Sequence, residues 1–243
     1  MKRVLLKIAY DGTEYHGWQY QPNGLSVQEV LQKAVVKVLG VPVNVTGCSR
    51  TDAGVHAKEF YCHIDCDDSI PASAFLRGVN SCLPDDISVK DCIDVASDFH
   101  ARYNAIKKNY VYRFYLGIND PFSDRYALRL EKKPDIDLMN DFCKTLIGEH
   151  DFFGFSSSGR TVEDTLRTVT ECSVYCDQDV LCFDITANGF LYNMVRILAG
   201  TALDVGCKKL PVDVALEVFQ TKDRSLAGNT LPPKGLFLNK VYY

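Results

Sequence analysis

The chain has 243 residues, of which 47% are hydrophobic and 24% charged, with a formal net charge of −4. That length supports a sizeable core, as one large domain or two of about 100 residues each. No apolar run approaches the roughly 20 residues of a membrane span, and Val4-Leu5-Leu6-Lys7-Ile8 is too short and too charged for a signal peptide, so a cytoplasmic protein without a membrane partner is expected.

Alternation of Val4, Leu6 and Ile8 predicts a first strand. Asp11-Gly12-Thr13 then predicts a turn. The segment Tyr10 to Tyr20 holds the one tryptophan, Trp18, among Tyr15, His16 and Gln19. It reads either as a core loop or as a loop that faces RNA and stacks on bases. Ser26-Val27-Gln28-Glu29 is a capping box. Val27, Val30, Leu31, Ala34, Val35, Val38 and Leu39 follow at helical spacing, and Gly40 and Pro42 end the helix. An amphipathic helix of this kind covers one face of a sheet.

Val43 to Val45 and Phe60 to Ile64 predict strands on either side of a charged turn, Gly47-Cys48-Ser49-Arg50-Thr51-Asp52-Ala53-Gly54-Val55-His56. Pro71 to Val79 predicts a short helix, Pro84-Asp85-Asp86 a turn, and Ile87 to Val89 a strand. A boundary is expected within Ser97 to Ile106, dividing the chain into an N-terminal subdomain, 1–102, and a C-terminal subdomain, 103–243. Tyr110, Tyr112, Phe114 and Leu116 then line one face of a long strand. Leu138, Met139, Phe142, Cys143 and Leu146 predict a helix ended by Gly148. Leu166 to Tyr175 and Val180 to Ala187 predict two strands, Phe190 to Val205 a helix, Pro211 the start of another, and Leu236 to Tyr243 a final strand. Each half mixes strands and helices in a similar rhythm. That order predicts an α+β fold with helices against largely antiparallel sheets.

Asp52 heads the candidates for chemistry. Thr51-Asp52-Ala53-Gly54 is good turn material, and by spacing alone it reads as a structural turn. Arg50, two residues away, favours an ionised carboxylate, the state a nucleophile or general base requires. Arg196 lies in a helix made apolar by Leu191, Met194, Val195, Leu198, Ala199, Ala202 and Leu203, on a stripe with Asn193 and Gly200. A buried arginine needs an anion, because an unpaired buried charge costs about 3–5 kcal/mol. The anion is a structural carboxylate, a phosphate or Asp52 itself; a snorkelling arginine on a half-exposed helix is the alternative. Tyr110 reads as a core tyrosine, or as a ring that stacks on a base and moves a proton through its hydroxyl.

The ten cysteines include no Cys-x-x-Cys pair, and the five histidines show no His-x-x-x-His spacing, so reduced core thiols outweigh zinc. Residues 1–102 carry 10 basic and 13 acidic side chains, and residues 103–243 carry 17 and 18. Neither half advertises nucleic acid by bulk charge, so an RNA partner would have to meet a local patch. Candidates are Arg50, Lys58, Arg102, Lys107, Lys108, Arg160, Arg167, Arg196, Lys208 and Lys209, each of which also reads as a solvated surface charge. There is no Walker-type loop, no Gly-x-Gly-x-x-Gly after a strand, no Gly-x-Ser-x-Gly and no His-Glu-x-x-His. Carboxylate chemistry without a cofactor, or a binding function, remains.

Arg50-Thr51-Asp52-Ala53-Gly54-Val55-His56-Ala57 resembles the active-site motif of the tRNA pseudouridine synthase A family. Tyr10-Asp11-Gly12-Thr13, Gly17-Trp18-Gln19 and Ser26-Val27-Gln28 resemble the family's opening. Phe99-His100-Ala101-Arg102 with Tyr110-Val111-Tyr112 resembles its middle. Gly148-Glu149-His150-Asp151-Phe152, Met194-Val195-Arg196 and Gly235-Leu236-Phe237-Leu238 resemble its C-terminal part. Three departures stand out: Cys48-Ser49 in place of small residues, Phe60 where a glutamine is usual, and Asn229 where proline is frequent.

The resemblance implies a pseudouridine synthase fold, two ferredoxin-like α/β subdomains joined by a continuous, mainly antiparallel sheet with helices outside. It implies a homodimer that isomerises uridine at positions 38, 39 and 40 in the anticodon stem-loop of tRNA, without metal or organic cofactor. Asp52 is then the catalytic nucleophile or base, and Tyr110, Arg50, Arg196 and Leu236 bind the substrate uridine. Lys58, Arg102, Lys107, Lys108, Arg160 and Arg167 are the candidates for the RNA backbone. The rival readings are another tRNA or RNA uridine as target, a non-catalytic RNA-binding protein, and a nucleoside glycosidase, which needs a second carboxylate opposite Asp52.

Overall fold

In a computed structural model of the chain the described residues are 2–67, 71–159 and 163–243. In chain order the elements are β1 (Lys2–Tyr10), α1 (Val27–Leu39), β2 (Thr46–Gly47), β3 (His56–Cys66), α2 (Ala72–Asn80), β4 (Ile87–Val95), β5 (Lys107–Leu116) and α3 (Pro121–Tyr126). They continue with β6 (Leu128–Leu130), α4 (Ile136–Thr145), β7 (Gly148–Asp151), β8 (Leu166–Asp177), β9 (Val180–Ala187), α5 (Met194–Gly206), α6 (Val214–Thr221) and β10 (Leu236–Tyr242). The chain forms two compact units, Met1–Ile106 with Phe237–Tyr243, and Lys107–Leu236. The change of unit falls between Ile106 and Lys107, and the last seven residues belong to the first unit.

The first unit is a sheet in the order β4-β1-β3-β10, with β2 added on β3. Its pairs are antiparallel except β3 with β10, where Phe237 lies opposite His56 and Leu238 opposite Ala57. Period-2 alternation decides the faces. Val4, Leu6 and Ile8 of β1 lie opposite Ile64, Cys62 and Phe60 of β3, and all six are buried. Each such side chain contributes about 1.5–3 kcal/mol on burial. The intervening positions of the same strands carry cross-strand ion pairs, Arg3 with Asp65 at 2.7 Å and Lys7 with Glu59 at 2.8 Å.

Helix α1 starts and stops as the sequence predicts. The Ser26 hydroxyl accepts the Glu29 N–H, and Gly40, left-handed at φ 71°, closes the last turn by donating its N–H to the Val36 carbonyl. Val27, Leu31, Ala34 and Val35 form its buried stripe. The strand expected at Val43 to Val45 does not form. The Gln28 side-chain amide donates to the Val45 carbonyl at 2.8 Å, so that backbone group is satisfied outside any ladder, and pairing with β3 begins only at Thr46.

The second unit is an antiparallel sheet in the order β5-β9-β8-β7, with β6 parallel to the end of β5. Tyr112 and Phe114 of β5, Phe183 and Ile185 of β9, and Met139 and Phe142 of α4 form the heart of its core. Asn140 ties α4 to β8 in both directions, donating to the Val174 carbonyl at 2.9 Å and accepting its N–H at 2.8 Å. Two helix starts differ from expectation. Helix α5 begins at Met194 rather than Phe190, because Asn193 is left-handed at φ 60° and the Met194 N–H closes a turn on the Leu191 carbonyl. Helix α6 begins at Val214, since the Pro211 carbonyl closes a turn with the Val214 N–H.

Each unit therefore has the expected α+β character with mainly antiparallel pairing. No disulfide joins any of the ten cysteines, and among the described residues no three His, Cys, Asp or Glu side chains converge as metal ligands. Among the described residues no helix is long and apolar enough to cross a membrane.

Candidate active site

The motif turn connects β2 to β3 in the first unit, and its backbone is held at nearly every step. Cys48 donates its N–H to the Tyr61 carbonyl at 2.8 Å and is itself buried. Thr51 is buried. Its hydroxyl pairs with the Tyr10 hydroxyl at 2.9 Å, and its carbonyl accepts the Trp18 N–H at 3.2 Å. The Asp52 carbonyl accepts the Val55 N–H at 3.1 Å, and Gly54 donates to the Tyr15 carbonyl at 3.2 Å. Val55 and His56 are buried beyond it. Asp52 is half-buried and Arg50 exposed, so the two charged groups stand out from a fixed backbone.

The 10–20 segment forms the bed of this turn. Gly17 has φ +82°, and a Cβ there would collide with the Thr51 carbonyl. A glycine is what lets the two backbones meet at Asp52. Trp18 is 3% exposed and stacks on Phe60 at 4.0 Å, with Tyr10 against Phe60 at 5.8 Å. The core-loop reading of this segment therefore holds for Trp18, which is not an RNA-facing ring. Phe60 thus completes an aromatic floor with Trp18 and Tyr10. Tyr15 donates its hydroxyl to Asp86 at 2.6 Å; burial raises its pKa, and the Asp86 carboxylate raises it further. His56 stacks on Phe237 of β10 at 4.6 Å. Its Nδ1 lies 3.0 Å from the Gly12 N–H and 3.0 Å from Asp11 Oδ1.

The remaining candidates for the uridine site lie in the second unit. Tyr110 of β5 is 6% exposed, with its ring edge-on to Phe190 at 5.1 Å. Arg196 of α5 is half-buried; its Nε donates to the Leu231 carbonyl at 2.6 Å and its Nη1 to Asn193 Oδ1 at 2.8 Å. The stripe of Asn193, Arg196 and Gly200 is thus the seat of a strap at 227–231. The Asn229 carbonyl approaches Gly200 so closely that a Cβ would collide with it, and Gly228 donates to the Thr201 hydroxyl at 2.9 Å. Arg224 braces the strap from its other side through Ala227 and Thr230, both at 3.2 Å. Leu236 is buried at the head of β10.

A family model described as tRNA pseudouridine synthase matches residues 7–104 and 142–243. The chain belongs to the tRNA pseudouridine synthase family. With it, the chain belongs to the isomerases that modify RNA. Relatives named tRNA pseudouridine synthase A include one from Thermoanaerobacter sp. (strain X514), 44% identical over 248 residues, and one from Clostridium kluyveri, 41% identical over 244 residues, both matched over 100% of each chain. Among solved structures, a chain of the archaeal box H/ACA sRNP Nop10-Cbf5 complex aligns at 12% identity and TM-score 0.35 over 82% of this chain and 44% of its own, a likeness too slight to argue from.

Among the family-type basic residues, Lys58 and Arg102 are exposed in the first unit. In the second, Lys107 pairs with Glu171 at 3.1 Å, Lys108 is half-buried, and Arg167 bonds the carbonyls of Asp164 and Leu166. Arg160 lies outside the described residues. Thr51, Tyr10 and Gly17 escaped the motif reading as positioning residues. Their signal was present: two glycines within six residues, beside a tyrosine at a strand end.

Proposed function

We propose that this chain converts uridine to pseudouridine at positions 38, 39 and 40 in the anticodon stem-loop of tRNA, acting as a cytoplasmic homodimer without a cofactor. Full-length similarity to relatives named tRNA pseudouridine synthase A carries this reading. The build of the Asp52 turn supports it: a half-buried carboxylate on a backbone bonded to Tyr15, Trp18 and Tyr61.

The reaction breaks the N1–C1′ bond, rotates the freed uracil and forms a C5–C1′ bond; C5 loses its proton and N1 gains one, so no atom is lost overall. A stem uridine first leaves its stack at a cost of a few kcal/mol. Asp52 then acts at the nucleoside as nucleophile or base. Arg50, on the same turn as Asp52, orients the carboxylate, and Arg196 binds the substrate uridine. Tyr110 stacks on the uracil, and Leu236 helps retain it and exclude water, so that cleavage does not end in hydrolysis. Lys58, Arg102, Lys107, Lys108, Arg160 and Arg167 meet the phosphates.

The test is an unmodified tRNA transcript tritiated at uridine C5. Tritium is released, with product mapped to positions 38–40, and Asp52→Asn abolishes release while tRNA binding persists. Binding without release by the wild-type protein overturns the catalytic reading. Free uracil as product points instead to a glycosidase, and sedimentation at the monomer mass removes the dimer.

A further inference from the structure

Resting on the reading of tRNA as substrate, we infer that Tyr103 is a stacking platform for an unpaired nucleobase, with Arg102 beside it for the adjoining phosphate. Tyr103 is 77% exposed, yet it stands on one of the most tightly bonded turns of the first unit. The Phe99 carbonyl accepts from Arg3 at 2.9 Å. Ala101 is buried; its N–H donates to His63 Nδ1 at 3.2 Å and its carbonyl accepts the Tyr243 hydroxyl at 2.8 Å. Inside the turn, the His100 N–H donates to Asn104 Oδ1 at 2.6 Å and the Asn104 N–H returns to the His100 carbonyl at 2.9 Å. His100 Nδ1 accepts the Arg102 N–H at 3.1 Å. Ile106 closes the segment on the Tyr242 carbonyl at 2.8 Å.

The rings form a ladder. His63 is buried in the sheet, His100 lies edge-on to it at 4.9 Å, and Tyr103 lies on His100 at 4.3 Å with the planes 36° apart. The inner ring is neutral at physiological pH, because burial and the neighbouring Arg3 hold its pKa down to about 4. Tyr103 is therefore the outer rung, supported from beneath, with most of its surface open. The Arg102 guanidinium lies 5.9 Å from the Tyr103 centroid and pairs with no carboxylate among the described residues, whereas Arg3 nearby is engaged by both oxygens of Asp65.

An exposed aromatic held in place loses little freedom when it is covered. Stacking on such rings is how proteins hold unpaired RNA bases, and an adjacent arginine neutralises the phosphate. The acidic balance of the whole chain argues against a diffuse basic surface, which makes ring contacts the stronger means of holding RNA at this spot.

The experiment measures binding of an unmodified tRNA transcript at several salt concentrations, alongside C5 tritium release. Tyr103→Ala and Tyr103→Leu weaken binding about 5- to 150-fold, with the salt slope unchanged; Tyr103→Phe binds like wild type. Arg102→Gln lowers the salt slope by about one. Thermal midpoints of all four variants match wild type, since the ring is exposed. If wild type binds and releases tritium while the Ala and Leu variants bind equally well, the platform is overturned and the proposed activity stands. The platform is likewise overturned if those variants change only the sedimentation of the protein, which assigns the ring to a protein contact. A wild-type chain that neither binds nor releases overturns both readings.

Discussion

Asp52 sits between two buried neighbours, Thr51 and Val55, and is itself half-buried. Deep burial would disfavour its charged form, and full exposure would leave it mobile and screened by solvent. Fixing the backbone while leaving the carboxylate partly open avoids both; the Val55 N–H holds the Asp52 carbonyl, and the hydroxyl pair of Tyr10 and Thr51 clamps the residue before it. His63 illustrates a different residue-scale effect. Its folded pKa is lowered from 6.5 to about 4, by burial first and then by Arg3. In the window between those values the unfolded chain binds a proton that the folded chain does not. Stability therefore rises with pH across it and falls on acidification, by at most about 3 kcal/mol. Urea denaturation across this range is expected to show the slope in wild type and a flatter one in His63→Asn, whose side-chain oxygen still accepts the Ala101 N–H. An equal slope in both proteins refutes the assignment.

At the scale of elements, the contact of the 10–20 segment with the motif turn predicts the effect of Gly17→Ala. The variant needs a positive φ that a side chain resists and places a Cβ against the Thr51 carbonyl. It is expected to lose more than about 1 kcal/mol in denaturant titration and most of its tritium release, because the clash falls beside Asp52. Full activity in this variant rules out the bed as a positioning device.

Elements with strong periodicity were legible in the sequence. The Ser26 cap, the stripe of α1 and the alternation of β1 all stand where spacing placed them. The failures share a cause. Val43 to Val45 has the residues of a strand, but a side-chain amide from α1 takes a carbonyl there, and no local pattern reports that. The apolar run before α5 hides the left-handed Asn193 that delays the helix. At the site, Asp52 and Arg50 were legible as a motif. Trp18 was ambiguous, since an aromatic among polar residues looks the same from sequence whether it floors a turn or faces RNA.

For the whole molecule, alternation in Leu236–Tyr243 announces a strand but not the sheet it joins. The strand joins the first unit, where Phe237, Leu238 and Val241 are buried. At about 1.5–3 kcal/mol for each such side chain, its removal approaches the entire stability of an ordinary domain, about 5–15 kcal/mol. A chain ending at Leu236 is expected to show rapid proteolysis within residues 2–106 while 107–236 keeps its own melting transition; protection of both regions refutes this. Synthesis order gives the same strand another meaning. Asp52 is made early, whereas Phe237, whose ring stacks on His56, follows 181 residues after that histidine. The nascent protein therefore holds an unfinished motif turn until Phe237 has been added, and messages cut short anywhere before it yield chains without that support.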